Sequence, residues 1–215
     1  MKVTREVVLE GIVRHTVDAR YRVEDGLSLF EQLRYGSAVI LGTIALEDIG
    51  RAYWLVSLAD DCSRLKHLGV NSLRSELRKI DHQEMLKQGL KGFSIDNAPT
   101  ISARILSTQH DDWEQVLSRN AEAILNLHRK APSMLHDART KAQYPKLSEA
   151  GSWRSSADTG AATAKNTLRQ AAENFYLLQT FCLEKAVGLR ELSKELDTED
   201  AVFGYLEPYG RLGMV

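Results

Sequence analysis

The stretch Ser37–Ala59, SAVILGTIALEDIGRAYWLVSLA, holds only three charged residues, Glu47, Asp48 and Arg51, and all three sit at its centre. On a helical period Ala38, Ala45, Ile49, Ala52 and Val56 form one apolar stripe. Ile40, Ile44, Trp54 and Leu58 form a second, which also carries Glu47 and Arg51. Such a helix needs neighbours on more than one side, and its spacing predicts that Glu47 and Arg51, at i and i+4, pair inside the protein. Buried charges must be paired, because removing one partner costs about 3–5 kcal/mol. The cluster is therefore either a tie that holds a helical bundle in register or a functional site. A membrane span is a third reading of so apolar a segment. Three charges at mid-depth argue against it, each costing about 2.5–3.5 kcal/mol there.

The rest of the chain agrees with a helical protein. Its 215 residues suit one domain, here placed at 1–196 with a tail at 197–215. Four prolines and long Leu-, Ala-, Glu-, Arg- and Gln-rich stretches point to an all-α fold. The two cysteines, Cys62 and Cys182, form no Cys-x-x-Cys pair, which argues against a zinc site and fits a reducing compartment. The N-terminal MKVTREVVLEGIVRH has no signal-peptide core, so a cytoplasmic location is expected. With 28 Lys plus Arg against 29 Asp plus Glu, any nucleic-acid contact must come from a local patch.

Helices are expected over about 14–33, with Val17, Tyr21, Leu27 and Phe30 among the buried positions, then over the charged-core segment after an Arg34-Tyr35-Gly36 break. A third helix is expected over 72–90, with Ser72 as its cap and Leu73, Leu77 and Ile80 on its apolar side. After a connector at 91–100, a fourth helix is expected near 108–128, and a short one restarting at Pro132. The turn-rich segment 143–160 has Tyr144 and Trp153 as anchors for packing. A long last helix over 161–196 repeats Ala161, Ala164, Leu168, Ala171, Phe175, Leu178 and Cys182 at heptad-like spacing, a seam that either packs within one chain or pairs two.

No phosphate-binding Gly-Lys-Ser/Thr loop, Gly-x-Gly-x-x-Gly, His-Glu-x-x-His or Gly-x-Ser-x-Gly elbow is present. What remains is six histidines and a set of arginines. On a helix over 72–90, Arg74, Arg78 and His82 fall at i, i+4 and i+8 and form a cationic stripe. A solvated basic face is the plain explanation. The functional one is metal-free RNA cleavage: His82 moves a proton of the 2′-hydroxyl or leaving oxygen, and Arg78 stabilises charge on the phosphate. Glu47, if it faces them across the bundle, would orient the imidazole or fix Arg78. Arg51, Asp48 and Arg74 are then RNA-binding or structural. Arg104/His110 and Arg129/His136 are competing pairs, while His15, His67 and His128 are assigned to surface or packing.

Residues 25–52, DGLSLFEQLRYGSAVILGTIALEDIGRA, resemble the AbiV-type abortive-infection family of antiphage proteins, within the HEPN superfamily of helical domains. That family has a Gly-x-Tyr turn followed by a Glu-Glu-Ile-Gly-Lys signature. Here the turn is Arg34-Tyr35-Gly36 and the signature Glu47-Asp48-Ile49-Gly50-Arg51, with Asp48 and Arg51 as charge-preserving departures. The segment 139–153, RTKAQYPKLSEAGSW, is similar to the family's Leu-Tyr-Val-Asp stretch and following tryptophan, and the family's histidine in a basic helix corresponds to His82. The resemblance implies a HEPN-like bundle, homodimeric, that cleaves RNA or blocks translation on phage infection. It needs no cofactor or metal; its implied partners are RNA (tRNA or mRNA) and a phage-encoded activator protein, with no membrane. The superfamily's ribonuclease motif separates Arg from His by four to six residues. Arg104/His110 and Arg129/His136 meet that spacing, whereas Arg78 and His82 have three between them. The alternative is a non-catalytic helical binding module for a phage or host protein. A third option is the RNA-neutral half of a toxin and antitoxin pair.

Overall fold

The computed structural model describes residues 2–90, 130–183 and 188–204, and among these the chain is almost entirely helical. The expected helix at 108–128, the connector at 91–100, Arg104, His110, His128, Arg129 and residues 205–215 lie outside the described residues. Helix α1 is Arg5–Glu31, started by Thr4, whose side chain accepts from the Val7 amide. It begins nine residues before the expected start at Arg14, because Val8, Leu9, Ile12 and Val13 extend the apolar face toward the N-terminus. Leu27 is buried and Val17 and Phe30 are partly so, but Tyr21 is exposed, a correction to the expected core.

Helix α2, Tyr35–Asp60, is the charged-core segment, and it packs antiparallel on α1, with Leu55 beside Gly11 and Ala38 and Leu41 beside Gly26. Gly36 belongs to this helix and not to the turn. A Cβ there would meet the backbone of Ser156 at 2.6 Å, so glycine admits a distant loop against the helix start.

The region expected as one helix over 72–90 is two, α4 (Val70–Lys79) and α5 (His82–Gly89), preceded by the short α3 (Cys62–His67). Asp81 adopts extended backbone and its carboxylate accepts from the Glu84 amide at 2.7 Å, starting a new helix. Arg74, Arg78 and His82 therefore do not share a helix face. Helix α5 crosses α2 at two glycines. A Cβ on Gly50 would land on the Met85 carbonyl, and one on Gly89 on the Leu46 carbonyl, so only glycines let the backbones meet.

Residues 130–143 form α6, which includes Pro132. After it, β1 (Lys146–Leu147) and β2 (Trp153–Arg154) form a small antiparallel hairpin, followed by a 3-10 turn at Ser156–Asp158. Helix α7, Ala161–Leu177, continues into a π-helical turn, Leu178–Leu183. Gly188, at φ +87°, precedes the next helix, α8 (Leu189–Glu195), so the expected helix over 161–196 is not continuous. Ala164, Leu168, Ala171, Phe175 and Leu178 are fully buried inside this one chain, with α7 packed on α1 and α2. Ala161 is exposed. The seam thus builds the monomer's own core.

Helix α9, Glu199–Phe203, docks on the domain. The Gln179 amide donates to the carbonyls of Val202 and Gly204 at 2.9 and 2.8 Å, and Arg20 donates to the Asp200 carbonyl. No helix among the described residues is long and apolar enough to cross a membrane.

Candidate functional site: two adjacent buried acids

Glu47 and Asp48 are each 2% exposed, and being neighbours on a helix they point about 100° apart. Each gathers its own cations. Glu47 faces α5 and α6. Its carboxylate accepts from the Arg139 guanidinium, 92 residues away in sequence, and lies 3.1 Å from His82 Nδ1. His82 is the first residue of α5, so the Asp81 cap and the Gly50/Gly89 crossing together set its ring against Glu47. The Arg139 side chain is only 17% exposed, whereas that of His82 is 57% exposed. With Nδ1–H directed at the carboxylate, Nε2 is left for an outside group.

Asp48 faces α1. It accepts from Arg22, from Arg51 at 2.9 Å, and from His15 Nδ1 at 3.2 Å. The expected Glu47/Arg51 pair is therefore corrected: Arg51 binds Asp48, at i and i+3, because that carboxylate is the one turned toward its side. His15, assigned to surface or packing, belongs to this cluster. Burial first, then the Arg51 and Arg22 charges, lower its pKa to about 4 against the opposing pull of Asp18. It is thus a neutral ring donating to Asp48.

Arg74 and Arg78 are exposed, and neither is paired among the described residues. The arginine the fold brings to Glu47 is Arg139, which sequence reasoning did not single out as a site residue. It opens the 139–153 block that carries the second part of the family resemblance, and that was the signal available. His136 lies one turn before Arg139 on α6, and its Nδ1 is buried without a hydrogen-bond partner. Among the described residues no group of three or more His, Cys, Asp or Glu is placed to hold a metal ion.

The described residues thus form an all-α bundle whose central helix, α2, carries two adjacent buried acids, each holding its own basic residues. The family model described as AbiV matches residues 7–177, which spans α1 through α7 and both acid clusters, and the chain belongs to that family. It is accordingly an abortive-infection protein of HEPN type. No curated protein and no solved structure matches the chain.

Proposed function

We propose that this protein is a cytoplasmic antiphage effector that cleaves RNA, tRNA or mRNA, without a metal when phage infection triggers it. The observation that carries the reading is the buried Glu47 carboxylate holding Nδ1 of a histidine whose ring is more than half exposed. A carboxylate behind an imidazole fixes its tautomer and stabilises the imidazolium, which suits His82 to take the 2′-hydroxyl proton or to protonate the leaving oxygen. Arg139, on the same carboxylate, takes the charge-stabilising role first assigned to Arg78, which lies on a different helix from His82. His136, one turn away, is the second candidate for proton transfer. A homodimer and a phage-encoded activator belong to this proposal through the family.

The test is cleavage of total RNA and tRNA by the purified protein with chelator present, beside His82→Ala and His136→Ala, each checked for folding by circular dichroism. Cleavage by the parent and none by folded His82→Ala supports the reading. Undiminished cleavage by His82→Ala, with loss in His136→Ala, moves the site to His136. No cleavage by the parent, alone or with the activator, rejects it. The second reading, a non-catalytic binding module, is favoured by the complete internal pairing of Asp48, which is what a structural tie requires.

A further inference from the structure

Helix α4 exposes one kind of chemistry. Its solvent-facing residues are Asn71, Ser72, Arg74, Ser75, Arg78 and Lys79, and each carries a hydrogen-bond donor while none carries a carboxylate. The one acid of this helix, Glu76, is half-buried and paired with Arg64 of α3. Arg74 and Arg78 each follow a core-facing leucine, Leu73 and Leu77, whereas Glu76 precedes Leu77. At 100° per residue the arginines and the acid therefore lie on opposite flanks of the buried side. The neighbouring acids are engaged as well: Asp61 accepts from the Arg64 amide and Asp81 from the Glu84 amide. Lys66, Arg74, Arg78 and Lys79 have no side-chain partner among the described residues.

Folding alone does not ask for this pattern. On α1 the exposed charges alternate in sign and pair within the helix, as Glu10/Arg14, Asp18/Arg22 and Arg20/Glu24. Cations in the last turn of α4 suit the helix dipole, but Arg74 stands a turn earlier and meets Arg78 at i and i+4, a spacing at which like charges weaken a helix. The whole chain has 28 Lys plus Arg against 29 Asp plus Glu, so this flank is a local departure. Nor is it built for a protein or a lipid surface, both of which need apolar area at the centre of the contact. Val70, Leu73 and Leu77 are turned to the core. The exposed large apolar side chains lie elsewhere, among them Tyr144 and Trp153, expected as packing anchors but 59% and 72% exposed. A phosphate backbone needs only donors and positive charge.

We propose that α4 is a track for the phosphate backbone of single-stranded RNA, with Arg74 and Arg78 holding successive phosphates and Asn71 and Ser75 donating from the same flank. The two arginines are about 6 Å apart along the helix axis, close to the step between phosphates of an extended strand. Only Ile80 and Asp81 separate Lys79 from His82, so the end of the track is within about 11 Å of the His82 Cα. A strand laid on α4 thus has His82 within a few nucleotides and is held there without any base being read. The track deepens the ribonuclease reading and rests on it for its ligand.

The experiment is fluorescence anisotropy of a labelled ten-nucleotide oligouridine with the full-length protein in chelator, in parent and His82→Ala backgrounds. The test variant is Arg74→Gln/Arg78→Gln. The control is Arg14→Gln/Arg154→Gln, which removes the same charge from exposed positions elsewhere. All four side chains are exposed, so folding is retained, as circular dichroism checks. Arg74→Gln/Arg78→Gln is expected to weaken binding about tenfold and to flatten its salt dependence, by about 0.7 in log–log slope for each phosphate no longer neutralised. The control is expected to stay within about twofold of the parent. Unchanged affinity in the test variant overturns the track, and so does an equal loss in the control. Absence of oligouridine binding by the parent overturns it too, and a loss of phage protection by the test variant in that case assigns α4 to an acidic protein partner. Binding that depends on α4, without cleavage by the parent, upholds the track and rejects the ribonuclease reading. Cleavage with binding independent of α4 does the reverse.

Discussion

Glu47 and Asp48 share burial, charge and a helix, yet their surroundings differ in one respect that separates a site from a tie. Asp48 is enclosed by Arg22, Arg51 and His15, and the side chains of all three are no more than about a third exposed. Glu47 is enclosed by Arg139 on one side only, and on the other holds a histidine that opens to solvent. The same buried-acid chemistry thus serves two ends: satisfied on every side it fixes α1 on α2, and left with one outward-facing partner it can pass a proton to something else. Adjacent positions on a helix are enough to produce the difference, because a 100° turn sends the two carboxylates to different neighbours.

The strongest consequence of this difference is for stability. Asp48→Ala removes the one anion shared by Arg22, Arg51 and His15 and is expected to cost about 3–5 kcal/mol by urea denaturation. A loss below about 1 kcal/mol would mean that the cluster is not the tie described here.

Next is the glycine crossing that delivers His82. Gly50→Ala drives a methyl into the Met85 carbonyl and must push α5 off α2, at about 1–3 kcal/mol. It should also lower RNA cleavage more than its stability loss explains, since His82 moves with α5. Retention of the parent's cleavage rate would separate the crossing from the site.

A smaller effect lies in the pH dependence. The native pKa of His15 is lowered from 6.5 to about 4, so the unfolded chain binds more protons over that range. Its contribution is fully present above pH 6.5 and is lost as pH falls toward 4. Glu173, on α7, has the opposite sign. Burial, against the pull of Arg169, raises its pKa from 4.5 to about 7, so its contribution is present below pH 4.5 and is lost as pH rises through 7. The two oppose each other between pH 4.5 and 6.5. Relative to the parent, Glu173→Gln should gain stability with rising pH across that window, and His15→Gln should lose it. Urea midpoints at about pH 5, 5.5 and 6.5 check this; parallel profiles for all three proteins would contradict it.

Much of this arrangement is legible in the sequence. Three charges inside an apolar helix announce a packed, paired cluster, and Glu47 facing His82 follows from asking which imidazole could reach it. The pairing inside the cluster is less legible. Asp48, three residues before Arg51, and Glu47, four before it, are both within its reach, and only the positions of α1 and α5 decide between them. Arg139 is hidden by its 92-residue separation from Glu47, which no local period encodes. The break between α4 and α5 is written in the sequence as Asp81 followed three residues later by Glu84, a cap signal outweighed by the apolar spacing of Leu73, Leu77 and Ile80. Gly188, in a left-handed conformation just before α8, likewise breaks the helix expected over 161–196, where the heptad-like pattern suggests continuation. Trp153 is expected inside because a large aromatic ring is more often buried than shown to solvent, yet it lies on a two-residue strand whose residues, like those of the strand it pairs with, are all exposed.

Whether Glu47 serves chemistry and Asp48 serves the fold is decided by single-turnover RNA cleavage in chelator by Glu47→Gln and Asp48→Asn, each at a temperature where it is folded. Glu47→Gln is expected to lose about a hundredfold or more in rate, while Asp48→Asn stays within a few-fold of the parent. Equal losses in the two variants, or a loss confined to Asp48→Asn, would contradict this division of roles.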